Sequence, residues 1–345
     1  MKTRHGRTIA IVAVTAILLL AAWAASQVLL LTFGAVLFAS LLGGAADWLC
    51  SKTPLGRGPA LATVLLLILL ATGGAVWLLA STISAQAKQL STTLPAAFQE
   101  ATAKLDATDW GGRVLDEIRD WEKQPHAGML GQVGGVFSTT VGVIGAVALL
   151  AFLSIYFAAQ PHVYRSGLLR LFGKGQRERL GEVFDEIGST LQRWFIGQLL
   201  DMTFVAVATA VALSLLGMPL AITLGLIAGV ADFIPNLGPL LAAVPALLIA
   251  FTISPMHVLW VALIYLAVQV CENQVLAPLV QRRAVDLPPA VTILSQATLG
   301  VLFGFPGLLF ATPIAAAARI AIERLYVEDR LEREPHGVES STSIA

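Results

Sequence analysis

The chain has 345 residues, of which 57% are hydrophobic and only 13% are charged, and its mean hydropathy is +0.78. Soluble domains carry about 25% charged residues, so this composition excludes a soluble domain and indicates an all-α polytopic membrane protein. The formal net charge is zero, which leaves no basic excess to neutralise phosphates and argues against a nucleic-acid partner. The two cysteines, Cys50 and Cys271, show neither metal-ligand spacing nor a disulfide framework, and we interpret both as packing residues.

Residues 1–81 contain three apolar runs and predict an N-terminal three-helix membrane region. The first run, 8–25, resembles the core of a signal peptide, but it is too long for one and a second run, 28–46, follows almost at once. We therefore expect an uncleaved helix pair, followed by a third span over 59–81. Three basic residues precede the first run and hold the N-terminus in the cytoplasm by the positive-inside rule; they are Lys2, Arg4 and Arg7.

Two polar segments flank the predicted core. Residues 82–135 are polar and helix-rich, with more acids than bases, and we predict an extramembrane helical insertion on the outer side of the membrane. Residues 326–345 belong to a C-terminal segment that alternates acids with bases and ends in serine and threonine, so we predict a disordered tail.

Residues 136–325 form the predicted core transport region, which opens with a fourth span. The segment 161–194 is rich in arginine, and its apolar residues recur at helical spacing, so we expect a cytoplasmic amphipathic helix. That helix either lies along the membrane and covers the inner mouth, or only packs on its neighbours. The fifth span, 195–216, carries Gln198 and Asp201 near its inner end.

A first broken hairpin is predicted over 219–253. Its leading arm, 220–231, would be roughly 18 Å long as a helix, well short of the ~30 Å hydrocarbon core, so a re-entrant arm is simpler than a span. Asp232 and Asn236 bring polar groups to the break, where lipid cannot solvate them. The residues that remove backbone donors or loosen the chain here are Pro235, Gly238, Pro239 and Pro245.

A second broken hairpin is predicted over 289–322, with two 16-residue arms around the Phe305-Pro306 pair. Two Gly/Pro-interrupted segments in corresponding positions are typical of a transporter substrate site. If both hairpins are re-entrant, they enter the membrane from opposite faces and their tips converge near its midplane. Full crossings by all four short arms are the alternative topology. In the second hairpin the hinge residues are Gly304, Pro306, Gly307 and Pro313.

The sixth span, 258–279, ends in a polar cluster and supplies the strongest candidate for ion coupling, Glu272. A carboxyl group at membrane depth costs about 2.5–3.5 kcal/mol unless it faces a partner or a wet cavity. Glu272 could bind a proton or sodium, with Gln269 and Asn273 as neutral ligands. Asp232 is a second candidate for binding the proton or sodium ion. The alternatives are a structural hydrogen-bonding role for Glu272 and a helix-capping role for Asp232. Asp201 lies nearer the interface, where a structural role is favoured.

The motifs of soluble enzyme chemistry are absent from the sequence. There is no Gly-x-x-x-x-Gly-Lys phosphate loop, no Gly-x-Ser-x-Gly elbow and no His-Glu-x-x-His, and the five histidines are scattered. We therefore expect no ATP use, no metal site, no cofactor other than a coupled H⁺ or Na⁺, and no enzyme activity. The N–H groups that begin the half-helix after Asn236 would suit an anionic or hydroxyl-rich ligand. Trp194 and Trp260 are interpreted as interfacial belt residues.

Several short motifs, strongest after residue 151, carry a family resemblance. They are Ile155-Tyr-Phe157, Gly197-Gln198, Leu216-Gly-Met-Pro219, Phe233-Ile-Pro-Asn-Leu-Gly-Pro239 with Pro245, Glu272-Asn273 with Pro278, and Phe303-Gly304 with Gly307 and Pro313. Together they resemble the autoinducer-2 exporter (AI-2E) family of bacterial inner-membrane permeases, some of which are linked to sodium/proton exchange. The family often has Gly-Leu-His-Pro where this chain reads Asp286-Leu-Pro-Pro289. A proton-carrying imidazole is therefore missing, or its role has moved to Asp286.

The resemblance implies a homo-oligomer of the bacterial inner membrane, and the charge distribution predicts cytoplasmic N- and C-termini. The leading hypothesis is a secondary transporter that exports a small polar solute, autoinducer-2-like or another metabolite, coupled to protons or sodium. The expected partners are that solute, membrane lipid and further copies of the chain. One alternative is a sodium/proton antiporter without organic cargo. Another is an oligomeric membrane scaffold, for which the insertion 82–135 would be the partner-binding element.

Overall fold

The computed structural model describes residues 25–106, 140–276 and 287–331, and within these ranges every regular element is helical. Five helices there are long and apolar enough to cross a membrane, or six if one pair bent by 85° counts as a single span. The all-α polytopic fold expected from composition is confirmed. The predictions for the first span up to residue 24, for 107–139, for Asp286 and for the tail beyond 331 lie outside the described residues.

Two antiparallel neighbours begin the described chain: α1 (Ser26–Lys52) and α2 (Arg57–Asp106). Across their short connection the Arg57 guanidinium donates to a carboxylate oxygen of Asp47 over 2.9 Å. Helix α2 has 50 residues, roughly 75 Å, so it is far longer than the ~30 Å hydrocarbon core. The helix has no break at 81, because falling hydropathy ends the apolar run without ending the helix, and the boundary between a span and an extramembrane insertion stays a prediction.

The next helices connect the first pair to the core. Helix α3 (Thr140–Ala159) packs on α1, and α4 (Pro161–Arg170) turns away from it after Gln160. Proline at the first helical position suits this start, since that position needs no N–H donor. A 3₁₀ turn then leads into α5 (Arg177–Leu215).

Helix α5 corrects the prediction of an amphipathic helix over 161–194 that is separate from a fifth span over 195–216. It runs without interruption for 39 residues, roughly 58 Å, because no proline or chain break separates its charged half from its apolar half. A straight helix cannot both cross a membrane and lie along it. The charged half of α5 therefore continues its apolar half and does not form a separate helix along the membrane surface.

The first hairpin consists of α6 (Ala221–Ala231) and α7 (Leu237–Ile253), separated by five non-helical residues. A Cβ atom on Gly238 would overlap the carbonyl group of Ala231, so only glycine permits the two arms to come this close. Asn236 supplies the other special conformation, with φ of 67°, which asparagine tolerates better than most residues.

Helix α8 (Pro255–Cys271) follows the first hairpin directly. The Ser254 hydroxyl caps it by accepting a hydrogen bond from the backbone N–H of His257. At its far end α8 widens into a single π-helical turn, Glu272–Leu276. Such turns occur often at functional sites, and this one begins at the predicted coupling residue.

The second hairpin lies within α9 (Pro289–Ile322), whose 34 residues are interrupted at Gly304, where φ is 65° and ψ is −145°. A Cβ atom on Gly307 would overlap the Leu299 carbonyl group, although these residues would be roughly 12 Å apart along a straight helix. The two arms of α9 therefore fold back on each other at the predicted break.

The start of the predicted disordered tail, 326–345, is ordered as far as Leu331. Residues Glu323–Leu331 continue α9 as a π-helical segment, and Arg324 makes a bidentate ion pair with Glu186 of α5 over 2.8 and 2.9 Å. Arg179 of α5 bonds to Glu328 over 2.8 Å. Alternating charges predict a solvated, disordered tail when no partner is visible nearby in the sequence. Here the partners lie about 140 residues earlier in the chain, so the sequence does not reveal the ordered ion pairs.

Candidate functional site

The tip of the first hairpin is positioned by close packing between α6 and α5. A Cβ atom on Gly225 would lie 2.6 Å from the Cβ of Ala210, and one on Gly229 would lie 2.6 Å from the Cβ of Ala206. Small residues on both helices thus let the two backbones approach, as is usual where helices meet in membranes. This packing places the end of α6, and with it Asp232, beside α5.

Two buried glutamines hold the tip by donating to carbonyl groups that the broken helix leaves without helical partners. The Nε2 atom of Gln198, on α5, donates to the Asp232 carbonyl over 2.8 Å. The Nε2 atom of Gln296, on the first arm of the second hairpin, donates to the Pro235 carbonyl over 2.9 Å. The two side chains are 2% and 1% exposed, so these bonds are shielded from solvent. Through Gln296 the second hairpin touches the tip of the first.

A polar cavity of about 180 Å³ lies between the tip, α5, the end of α8 and the start of α9. Six of the seven residues predicted as coupling or substrate candidates line it, and Asp201 is the exception. The predicted hinge residue Pro235 also lines it. The full lining is Trp194, Gln198, Asp232, Pro235, Asn236, Gln269, Glu272, Asn273, Leu287, Pro289, Thr292 and Thr312.

The cavity is electrostatically negative. Asp232 is 1% exposed and Glu272 is partly buried, and with Asp201 they are close enough to repel one another when ionised. The Nε2 atom of Gln269 donates to a Glu272 carboxylate oxygen over 3.1 Å. No lysine, arginine or histidine belongs to the part of the lining that the structure describes. A cation or a proton would therefore be favoured here over an anion.

The free N–H groups that were expected at the start of α7 for an anionic or hydroxyl-rich ligand are not found there. The Leu237 N–H donates to the Pro235 carbonyl and the Gly238 N–H to the Ile234 carbonyl, each over 2.8 Å. The next residue, Pro239, has no N–H to offer. The first turn of α7 therefore presents no free donors of the kind that bind an anion.

The remaining hinge residues support the arms and do not line the cavity. Pro245 lies inside α7, close to Ala242, whose carbonyl accepts a hydrogen bond from the Tyr265 hydroxyl over 3.3 Å. Pro306 and Pro313 lie in the second arm of α9, where Pro313 is fully buried.

Sequence reasoning missed six residues that contribute to the site: Gln296, which holds the tip, and the lining residues Trp194, Leu287, Pro289, Thr292 and Thr312. Trp194 is only 4% exposed, lines the cavity and packs edge-on against Phe233 with ring centroids 6.1 Å apart, so its assignment to an interfacial belt is wrong. Trp260, by contrast, is 50% exposed. Gln296 was overlooked, although an amide inside an otherwise apolar arm was itself a signal.

Comparison with known proteins gives a consistent result. The model of the AI-2E family transporter matches residues 12–326. The chain is 28% identical to YrrI of Bacillus subtilis (strain 168) over 277 residues, which cover 77% of this chain and 78% of YrrI. It is 24% identical to YueF of the same organism over 278 residues, covering 76% and 75% of the two chains. PerM of Escherichia coli (strain K12) is 27% identical over 181 residues, covering 52% and 51%. The names of these relatives describe them, provisionally, as two transport proteins and a permease.

Proposed function

Because this chain belongs to the AI-2E family of transporters, we propose that it is a secondary transporter that moves a small polar solute, coupled to a proton or a sodium ion, through the cavity between its hairpins. One observation carries the proposal: Asp232 and Glu272 reach the same cavity from different elements, with no basic side chain in its described lining. Carboxyl groups at membrane depth are costly, and a transported cation offsets that cost.

Repulsion among carboxyl groups supplies the coupling in this proposal. When Asp232, Glu272 and Asp201 are all ionised, their repulsion disfavours closing the cavity away from water. Binding of a proton or sodium removes part of that repulsion, so the loaded site closes more readily than the empty one. Such a difference between loaded and empty states is the condition for coupled transport.

In this proposal the two hairpins give the cavity access to one side of the membrane and then to the other, as alternating access requires. We propose that both are re-entrant, that they enter the bacterial inner membrane from opposite sides, and that both chain termini are cytoplasmic. The bond from Gln296 to the Pro235 carbonyl supports the meeting of the two hairpins at one tip. The outward direction of transport is proposed from the exporter family alone.

A second candidate is a sodium/proton antiporter without organic cargo. The cavity volume of about 180 Å³ favours it, since sites for drug-sized ligands are usually ~300–1,000 Å³. Both candidates predict ion-coupled pH changes, and only the first predicts that a solute alters them.

The test uses full-length protein in proteoliposomes that contain a trapped pH-sensitive dye. Sodium, potassium or a panel of small polar metabolites is added outside, and the initial rate of internal pH change is measured. We expect a sodium- or solute-dependent change in the wild type and its loss in Glu272→Gln. Glu178→Gln is the matched control, because Glu178 is exposed at the start of α5.

The outcomes separate the alternatives. A sodium-dependent change that no solute modifies selects the antiporter. The absence of any ion- or solute-dependent change in the wild type contradicts proton-coupled transport and favours the scaffold. Deleting 82–135 is a poor test of that scaffold, because Gln86 lies in α2 and its side-chain oxygen accepts from the Thr223 N–H and hydroxyl over 3.0 and 2.9 Å.

A further inference from the structure

We infer that the tip of the first hairpin binds a dehydrated monovalent cation of the size of sodium, with oxygen ligands from Asp232, Gln198 and Gln296. The inference rests on the proposed transport function and names its coupled ion and the ligands of that ion. It assigns Gln296 to ion binding, although this residue lies outside the set of cavity-lining residues.

Three buried oxygen atoms around the tip lack hydrogen-bond donors. Within the described structure, Oδ2 of Asp232, Oε1 of Gln198 and Oε1 of Gln296 are buried and receive no hydrogen bond. All three side chains are 2% exposed or less. Buried acceptors normally have partners, because water that was lost on burial must be replaced. Oxygen atoms are also the ligands that hard cations such as sodium prefer.

Hydrogen bonds fix the orientation of the two glutamine amides. Each glutamine already uses its Nε2 group to hold a tip carbonyl, at Asp232 or at Pro235. Turning either amide over would bring its oxygen against that carbonyl oxygen and break the bond. The amide oxygens of Gln198 and Gln296 are therefore available as acceptors on either side of one short turn.

The local charge at the tip is negative and small. Helix α6 ends at Ala231, so the partial negative charge of its C-terminus lies at the tip. Within the proposed ligand set Asp232 is the one carboxylate, and with two neutral amide oxygens it balances a single positive charge. A divalent ion would need more acidic ligands or would keep several waters, and no group of three His, Cys, Asp or Glu residues in the described ranges has metal-binding geometry. A monovalent cation is thus the ligand that this set of groups fits.

The experiment measures sodium binding without requiring transport. Full-length protein in detergent is heated in NaCl, KCl or choline chloride at constant ionic strength, and the unfolding midpoint is recorded. A ligand that binds only the folded state raises this midpoint saturably, here by roughly 3 °C or more in NaCl. We expect a smaller rise in KCl and none in choline chloride.

Three variants and a control locate the site. Asp232→Asn, Gln296→Met and Gln198→Met each remove one proposed oxygen ligand or its charge, and we expect each to reduce the sodium-dependent shift at least threefold. Glu178→Gln, a matched carboxyl-to-amide change outside the site, keeps the full shift. Binding of radioactive sodium to whichever variants remain monodisperse gives a second measurement that does not depend on unfolding.

The inference is overturned if the wild type shows equal shifts in all three salts, or if all three variants keep the wild-type shift. These results are distinct from failure of the proposed function. Sodium binding without any flux in proteoliposomes keeps the site and rejects the transport cycle. Proton-coupled flux without sodium binding keeps the transport cycle and rejects the site.

Discussion

Both hairpins fold back at a glycine that packs on a backbone carbonyl group, but their tips differ in chemistry. In the first, Gly238 packs on the carbonyl group of Ala231, and in the second, Gly307 packs on that of Leu299. The first tip contains five non-helical residues, among them Asp232 and Asn236, whereas the second turns at Gly304 between two phenylalanines. Folding back therefore does not by itself make a site. The polar groups that one tip carries, and the amides that hold it, are what distinguish the candidate site.

The largest loss of stability should come from replacing the close-packed glycine that each hairpin contains. We expect Gly238→Ala and Gly307→Ala to be equally damaging, by more than ~3 kcal/mol each, because the added methyl group would overlap a backbone carbonyl that cannot move aside. The measurement is the yield of monodisperse protein after detergent extraction, together with the unfolding midpoint. Gly188→Ala in α5 is the control, since a Cβ there meets nothing within 4 Å.

The next effect separates the two tips. Asp232→Asn at the first tip should lower the initial rate of ion-dependent pH change in proteoliposomes about tenfold or more, because it removes a charge from the cavity. Phe305→Ala at the second tip should change that rate less than about threefold, since Phe305 is 64% exposed. Equal losses in the two variants would contradict the assignment of the site to the first tip alone.

A smaller effect concerns the anchor of the first hairpin on α2. Gln86→Leu removes the acceptor for the Thr223 N–H and hydroxyl, and we expect a loss of about 1–2 kcal/mol in stability. Differential scanning fluorimetry should show a lower unfolding midpoint. The change Gln89→Leu, three residues further along the exposed surface of α2, serves as the comparison.

The smallest effect concerns the end of the second hairpin, where Arg324 pairs with Glu186. Hydrogen bonding from Arg324, and then the charges of Arg324, Arg179 and Arg193, hold the pKa of Glu186 below its ordinary value. Because the pKa is lowered in the folded state, the stabilisation is present above the unfolded-state pKa of about 4.3 and is lost as pH falls through the folded-state pKa. The pair is more than a third exposed, so its contribution should stay below ~1 kcal/mol. The unfolding midpoints of wild type and Glu186→Gln should differ slightly at pH 7 and converge towards pH 3.

Local chemistry made the breaks and the polar candidates predictable from the sequence. Proline and glycine interrupt helices through their own covalent structure, so both turns, at Pro235 and at Gly304, were found where the pattern indicated them. The cost of burying Asp232 and Glu272 in lipid predicted that each faces a partner or a wet cavity, and the structure places both in the lining of the same cavity. Their role in transport stays a prediction.

Features that depend on distant partners were not predictable in the same way. Gln296 belongs to the site because it donates to the Pro235 carbonyl, 61 residues earlier in the chain. Trp194 belongs to it because its ring packs against Phe233. Hydropathy also failed to give the ends of α2 and α5, because it reports which residues suit lipid and carries no information on where helical hydrogen bonding stops.

The uninterrupted course of α5 has a mechanical consequence. An ion pair between Glu186 and Arg324 joins its charged half to the end of α9, and twelve residues further on, roughly 18 Å away, the Gln198 side chain donates to the Asp232 carbonyl at the hairpin tip. Between these two points lies continuous helix with no hinge. We therefore expect α5 to move as one rigid element, so that a tilt at the tip would displace its ion pair with the end of α9. Under the proposed function, ion binding at the tip would in this way alter a contact between two other parts of the protein.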